Sequence, residues 1–349
     1  MTLFPKTALF TLPLLVYSLF AGAAQDTSAP AEAPAEAPAE APAPKVDVVI
    51  DMKPALIEGV APFVVERGVG EPDLLVPRGE HLGFGVHVAL GPIGATVGSV
   101  DLDSGVEAYQ QGLVLMVPNP EGKGKETAWL RAKAKGSYMW YDMKTVLDSR
   151  YLPKVWPSIS HMYRQSGSEN RRRESLFGVL DGKSQTSYRR DTSKGAPSGE
   201  QIWKPAEFRD IPVGSVDMLG AVYLSRTLLL SGQEEIVFPL LDKTTLWELT
   251  LRRGDKGIVE VPAGRFDAIE VILDPKPYPG EPDKDKEKFE GLFGIRGSIH
   301  LWVDVLTGVP VRITGTIPAG PVEIDVDIFL EVFEGTPDLF LPLPELKDD

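Results

Sequence analysis

Three consecutive arginines, Arg171, Arg172 and Arg173, and the pair Arg189–Arg190 beside Tyr188 are the residues whose type and spacing most suggest chemistry. A guanidinium offers a planar fork of donors that binds carboxylate or phosphate oxygens in pairs, so the chemistry suggested is anchoring of an anionic group. The arginines fall in a stretch, Pro120 to Ile211, that holds 18 Lys or Arg against 11 Asp or Glu, a net of +7. The rest of the chain must then carry −21 to reach its overall −14. On a strand, neighbouring side chains point to opposite faces, so at least one of three adjacent arginines faces inward unless the stretch is a loop or lies at an edge. A solvated loop or edge strand accounts for them without any function, because charged side chains are rarely buried unpaired.

Other polar sets are weaker. Glu323, Asp325 and Asp327 alternate along one strand face, about 7 Å apart, too dispersed to chelate one cation without outside ligands; they read as a solvated face. The four histidines, His81, His87, His161 and His300, have no catalytic motif around them, and His87 lies opposite the apolar residues of its strand. There is no nucleophile elbow, phosphate loop, dinucleotide fingerprint or metalloprotease helix. A hydrolase would need a cluster such as His300, Asp304 and Glu248 converging in one cleft. With no cysteine in the chain, disulfides, thiolate catalysis and cysteine-type zinc sites are excluded. No catalytic residue, metal site or cofactor is expected. Trp302 joins the five arginines as a candidate ligand contact.

The elements that must position these residues are mostly strands. In GSIHLWVDVLTGVPVRITGTI, Gly297 to Ile317, the residues Ile299, Leu301 and Val303 share one face. After a short turn containing Asp304, Thr307 and Gly308, the residues Val309, Val311 and Ile313 share another. This period of two, broken by turn residues, predicts a hairpin with one buried face. Phe84, Val86, Val88 and Leu90 repeat the pattern after Arg78–Gly79–Glu80, as do Thr127 to Gly136, Glu235 to Leu241, Thr245 to Arg252, Gly257 to Val261 and Phe266 to Leu273. Short strands are also expected at Val46 to Ile50 and Leu113 to Val117. Turns are expected at Asp242–Lys243, Arg253–Gly254–Asp255 and Pro262–Ala263–Gly264, and an exposed loop over Pro275 to Lys288. Val322, Ile324, Val326, Ile328, Leu330 and Val332 alternate most cleanly, and burying all six would contribute about 10 kcal/mol before entropy. Two segments have helical spacing. One is Ser137 to Leu147, through Met139, Trp140, Met143, Val146 and Leu147; the other is Val213 to Leu230, with Asp217 or Ser215 as its cap.

At 349 residues and 43% apolar content the chain can bury a real core. Its net charge of −14 argues against general nucleic-acid binding. Residues 1–24 read as a signal peptide: Lys6, an apolar run from Ala8 to Phe20, and small residues Ala21 to Ala24. The run is short and broken by Pro13, below the ~20 residues needed to span a bilayer; no transmembrane span is expected after cleavage. Residues 25–44 repeat Ala, Pro and Glu and read as a disordered, semi-rigid linker. Residues 45–340 are expected to form a single β-rich domain and 341–349 a tail.

From Arg78 to Phe333, about 78–333, the order of elements resembles a bacterial domain-of-unknown-function family, number 3108. The residues that carry the likeness are Gly79–Glu80, Tyr138 to Ser149, Asp217 to Arg226, Val261 to Gly264 with Phe266 to Ala268, and Leu301 to Asp304 followed by Gly308 to Val311. The tryptophan–aspartate hairpin is also similar to lipoprotein-carrier-like envelope proteins, curved antiparallel sheets around an apolar cavity. The expected fold is therefore mainly β, a strongly curved antiparallel sheet or open barrel with about two helices packed on it. The leading functional expectation is a bacterial, periplasmic or otherwise extracytoplasmic protein: a non-catalytic binding or carrier module whose partner is a lipid or other amphiphile. The alternatives are a structural, partner-binding envelope protein with a filled core, and an unrecognised hydrolase.

Overall fold

Alternation of apolar and polar residues over most of the chain builds one sheet. The computed structural model describes residues 76–91, 93–108, 126–138, 141–151, 158–167, 171–180, 183–190, 204–205, 207–281, 289, 291–319 and 322–335. Apart from Ala319 and Val322, these lie in one compact unit. The expected signal segment, linker and tail, and the strands at Val46 to Ile50 and Leu113 to Val117, lie outside the described residues.

Eight strands precede the one α-helix among the described residues: β1 (Gly79–Leu90), β2 (Ile93–Ala108), β3 (Glu126–Tyr138), β4 (Tyr141–Tyr151), β5 (Ser158–Gly167), β6 (Arg171–Leu180), β7 (Lys183–Arg190) and β8 (Glu207–Asp210). Helix α1 (Met218–Ser231) follows, and then β9 (Glu235–Asp242), β10 (Thr245–Val261), β11 (Gly264–Pro277), β12 (Arg296–Asp304), β13 (Pro310–Ala319) and β14 (Val322–Glu334). Their order in the sheet is β8-β7-β6-β5-β4-β3-β2-β1-β14-β13-β12-β11-β10-β9. Two meanders are thus joined through the antiparallel pairing of β1 with β14, and α1 connects the two outer strands. The sheet does not close into a barrel. A bridge at Val216, whose amide donates to the Pro239 carbonyl while Leu241 donates back to Val216, ties the segment after β8 to β9.

The helix shows how strongly the sheet bends. It touches β9, β10 and β12 as well as β3 and β4. Nine strand intervals separate β4 from β9, about 43 Å if the sheet were flat, whereas a helix with its side chains is only ~10–12 Å across. The sheet must therefore wrap around α1. Every residue from Met218 to Leu228 is buried, as for a helix with apolar surroundings on all sides. Asp217 caps its start, accepting from the amides of Leu219 and Gly220. Gly232 ends it in the left-handed region (φ 73°), and Arg253 donates to the terminal carbonyls of Leu228 and Leu229.

Curvature, sheet and capped helix match expectation, and so does the hairpin: Ile299, Leu301, Val303, Val309, Val311 and Ile313 are all buried. Four details differ. The segment read as a first helix, Ser137 to Leu147, runs from the end of β3 into β4, which pairs with β3 and β5 along its length. Its apolar residues satisfy both periods, and pairing on two sides decides the conflict in favour of a strand. The expected turn at Arg253–Gly254–Asp255 is a bulge inside the continuous strand β10. Gly254 fits there because a Cβ would meet Glu270 Oε2 at 2.3 Å. Pro275 to Pro277 extend β11 instead of opening a loop. In β14 only Val326, Ile328 and Leu330 are buried and Val332 is exposed, so the burial expected of six residues is reduced to roughly half.

Candidate functional site

A cavity of about 450 Å³ lies inside the bend, bounded by β1–β7, β14, the β9–β10 turn, the start of α1 and the segment Gly291–Gly294. Its wall has two characters. Val86, Val88, Val100, Leu292, Val326 and Ile328 line an apolar part, and His161, Tyr163, Gln165, Arg171, Arg173 and Lys243 a polar one.

Small side chains keep it hollow. The inward face of β3 presents Ala128, Leu130, Ala132 and Ala134 and then Gly136, which is paired with Gly98 of β2. Gly98, Ala134 and Gly136 all line the cavity. A Cβ on Gly98 would meet the Lys135 carbonyl at 2.2 Å, whereas one on Gly136 finds nothing nearer than the Val97 carbonyl at 3.8 Å. On the facing side Phe293 also lines the cavity. It sits in the left-handed region (φ 57°), a conformation costing a non-glycine residue roughly 1–3 kcal/mol.

Alternation sorts the arginines. β6 lies between β5 and β7, and β7 between β6 and β8, so the five arginines sit neither in a loop nor on an edge strand. Arg171 and Arg173 line the cavity, the latter with its guanidinium 5.2 Å from the centre of the Tyr163 ring. Arg172 turns to the other face, donating to Glu174 at 2.7 Å. Arg189 pairs in register with Glu174, and Arg190, which is exposed, with Arg173; Arg190 does not line the cavity. Trp302 lies on the sheet's other face, alternating with buried Leu301 and Val303, in register with Glu270 and Arg312 and close to Gly257. Among the candidates with described side chains, Arg171 and Arg173 are brought together at one site.

Behind the polar wall stands a buried hydrogen-bonded group that local sequence patterns miss. Asp217, only 1% exposed, accepts from Ser149 (2.9 Å), Tyr151 (2.7 Å) and Ser158 (2.5 Å) as well as from the helix amides. Ser149 Oγ also lies 2.8 Å from His161 Nδ1. Since its hydroxyl hydrogen goes to Asp217, Nδ1 carries the proton in that contact, and Nε2 is the remaining polar atom of a ring that lines the cavity. Burial pushes the Tyr151 phenol well above its usual range, and the neighbouring Asp217 charge adds to this. Burial likewise raises Tyr188 at the cavity wall, with Arg173 and Arg190 pulling it part of the way back. The partners of Asp217 lie 59 to 68 residues away in sequence, beyond the span of any short motif.

Ser149 is fully buried and donates to a carboxylate, so it is not poised as a nucleophile. The cluster a hydrolase would need does not assemble: His300 Nδ1 lies 2.7 Å from Glu270, and Asp304 accepts from the amide and hydroxyl of Thr307 in its own turn. Asp327 is engaged bidentately by Arg312. Among the described residues no three His, Asp or Glu groups are placed to hold a metal.

Fold and site define a class: an open, strongly curved antiparallel sheet wrapped on one buried helix and hollow beside it. Within that class, residues 127–327 match the family described as "Protein of unknown function (DUF3108)", and the chain belongs to that family. Among solved structures, it is similar to a β-barrel-like protein of domain of unknown function DUF1849 from Brucella abortus, at 13% identity and a TM-score of 0.42, covering 75% of this chain and 98% of that one. It is also similar to a protein with a YmcC-like fold from Bacteroides fragilis, at 11% identity and a TM-score of 0.28, covering 75% of this chain and 100% of the other. No curated protein is significantly similar to the chain.

Proposed function

We propose that this is an exported cell-envelope protein that binds or carries an amphipathic ligand and performs no reaction on it. The observation that carries the proposal is the cavity of about 450 Å³, with an apolar part and a polar part on one continuous wall. Ligand pockets typically span ~300–1,000 Å³ and are mainly apolar with a few oriented polar groups. Small residues keep the interior open at Ala134 and Gly136, where larger strand residues would fill it. The apolar, small-residue pattern of residues 1–24 supports export, where an apolar molecule must cross water between membranes.

The test is native mass spectrometry of the full mature chain, purified from a bacterial periplasm without detergent, before and after incubation with an envelope lipid extract. A lipid-sized adduct at near-stoichiometric occupancy is the expected result. A mass that remains bare after incubation would overturn the proposal and favour a purely structural envelope protein.

A further inference from the structure

Resting on that reading, we infer that the polar end of the ligand carries a hydroxyl group, which donates to Nε2 of His161. Register sets the wall around this ring. Thr145 of β4 faces Gln165 of β5, Ser149 of β4 faces His161 of β5, and His161 in turn faces Ser175 of β6. Thr145, His161, Gln165 and Ser175 all line the cavity, so its polar part includes four side chains that hydrogen-bond without a fixed charge.

The buried group behind the wall decides what His161 offers. Five donors converge on the two oxygens of Asp217: the amides of Leu219 and Gly220 and the hydroxyls of Ser149, Tyr151 and Ser158. The Ser149 hydrogen is committed to that carboxylate, so the Ser149 oxygen is the acceptor in its 2.8 Å contact with His161 Nδ1. The proton of the neutral ring is thereby fixed on Nδ1, and Nε2 is left as a bare lone pair. Nε2 has no partner among the described residues, and the side chain is 21% exposed.

A lone pair of this kind needs a donor. Directly opposed residues of an antiparallel pair have Cβ atoms about 5 Å apart, so one small group of a ligand can reach both His161 Nε2 and the Ser175 hydroxyl. A ligand hydroxyl donates to the first and accepts from the second at once; an ether cannot donate and an ammonium cannot accept. A site built around such a hydrogen bond discriminates against an analogue that lacks the donor, because its own acceptor is then left unmet.

The experiment uses three probes with one tail, dodecan-1-ol, its methyl ether and dodecylamine, at about pH 8.5, above the usual imidazole range. Each displaces the neutral dye N-phenyl-1-naphthylamine from the full mature chain. The ether leaves water more readily than the alcohol, so the quantity read is the alcohol-over-ether preference of wild type relative to that of His161→Phe, in which the transfer difference cancels. That relative preference is expected to be at least about fivefold, with dodecylamine weaker than dodecanol. Ser149→Ala lets the ring take either tautomer and should reduce the wild-type preference by at least about threefold; it also keeps the test in force if His161→Phe does not fold. Nitrogen-15 NMR of histidine-labelled wild type, with the His161 signals identified by their loss in His161→Gln, is expected to show hydrogen on Nδ1 and none on Nε2, and a mixture in Ser149→Ala. Hydrogen on Nε2 in wild type, an alcohol preference that either variant retains in full, or tighter binding of dodecylamine overturns the inference and leaves the cavity as a binding site. If wild type binds neither the dye nor any probe, the binding proposal itself falls and this inference with it.

Discussion

Four residues apart on the inward face of β3, Ala132 and Gly136 stand in opposite surroundings. Ala132 is 1% exposed and shares with Leu219 and Val222 of α1 a gap of only about 10 Å³. Gly136 opens onto about 450 Å³. The strand, its alternation and its neighbours β2 and β4 are the same at both positions; the difference is where α1 stops. Its first residue, Met218, reaches the cavity, and beyond that point none of the described residues fills the bend. One sheet therefore has a filled half, where buried polar groups are tied to the helix, and a hollow half, where polar groups face open space.

The filled half should break most easily. Arg226 and Glu80 are both fully buried, with Arg226 Nη2 2.7 Å from each Glu80 oxygen and Tyr223 donating to the same carboxylate. Arg226→Met would strand that carboxylate and should cost about 3–5 kcal/mol in chemical denaturation. Adding Glu80→Gln should return about half of the loss, since the penalty is the unpaired charge. Asp217→Ala removes the helix cap and the acceptor of three buried hydroxyls, and should cost about 3 kcal/mol.

A matched pair sharpens the contrast on one strand face. Ala132→Phe overpacks the filled half and should cost about 1–3 kcal/mol. Gly136→Phe extends into space and should stay within about 0.5 kcal/mol of the parent. A small effect also belongs to the outer face, where Asp103 meets His81 at 2.7 Å and Lys133 at 2.9 Å. Partial burial alone would raise its carboxyl, but those two partners overcome this and hold it below the usual carboxylate value. A depressed folded pKa stabilises above the unfolded value, near 3.9, and that contribution fades as pH falls through the lower folded value. Asp103→Asn should therefore cost under about 1 kcal/mol at pH 7, with the gap to wild type shrinking below about pH 4.

Most of the filled half was legible in sequence. Hairpin residues Ile299 to Ile313 announce themselves by alternation, and Asp217 announces the helix by its place before an apolar run. Local pattern failed where two periods coincide, in Met139 to Leu147, and at Gly254, where a glycine reads equally as turn or bulge. The hollow half was legible only in pieces. Arg171 and Arg173 stand out by type, but separating them from Arg172 needs the strand's facing, and type alone does not set Arg190 and Trp302 apart from them. His161, Ser149 and Asp217 meet only through the fold. Val86, Val88 and Val326 read as core, and nothing in their own segments says that they line a cavity.

The central claim is that the hollow half is a binding site, and the most direct measurement is titration of wild type and Gly136→Phe with N-phenyl-1-naphthylamine, each checked for an unchanged unfolding midpoint. The account predicts saturable binding at one site per chain in wild type and its loss, by at least about tenfold in Kd, in a Gly136→Phe variant that is equally stable. Undiminished binding by that variant, or none by wild type, would contradict it.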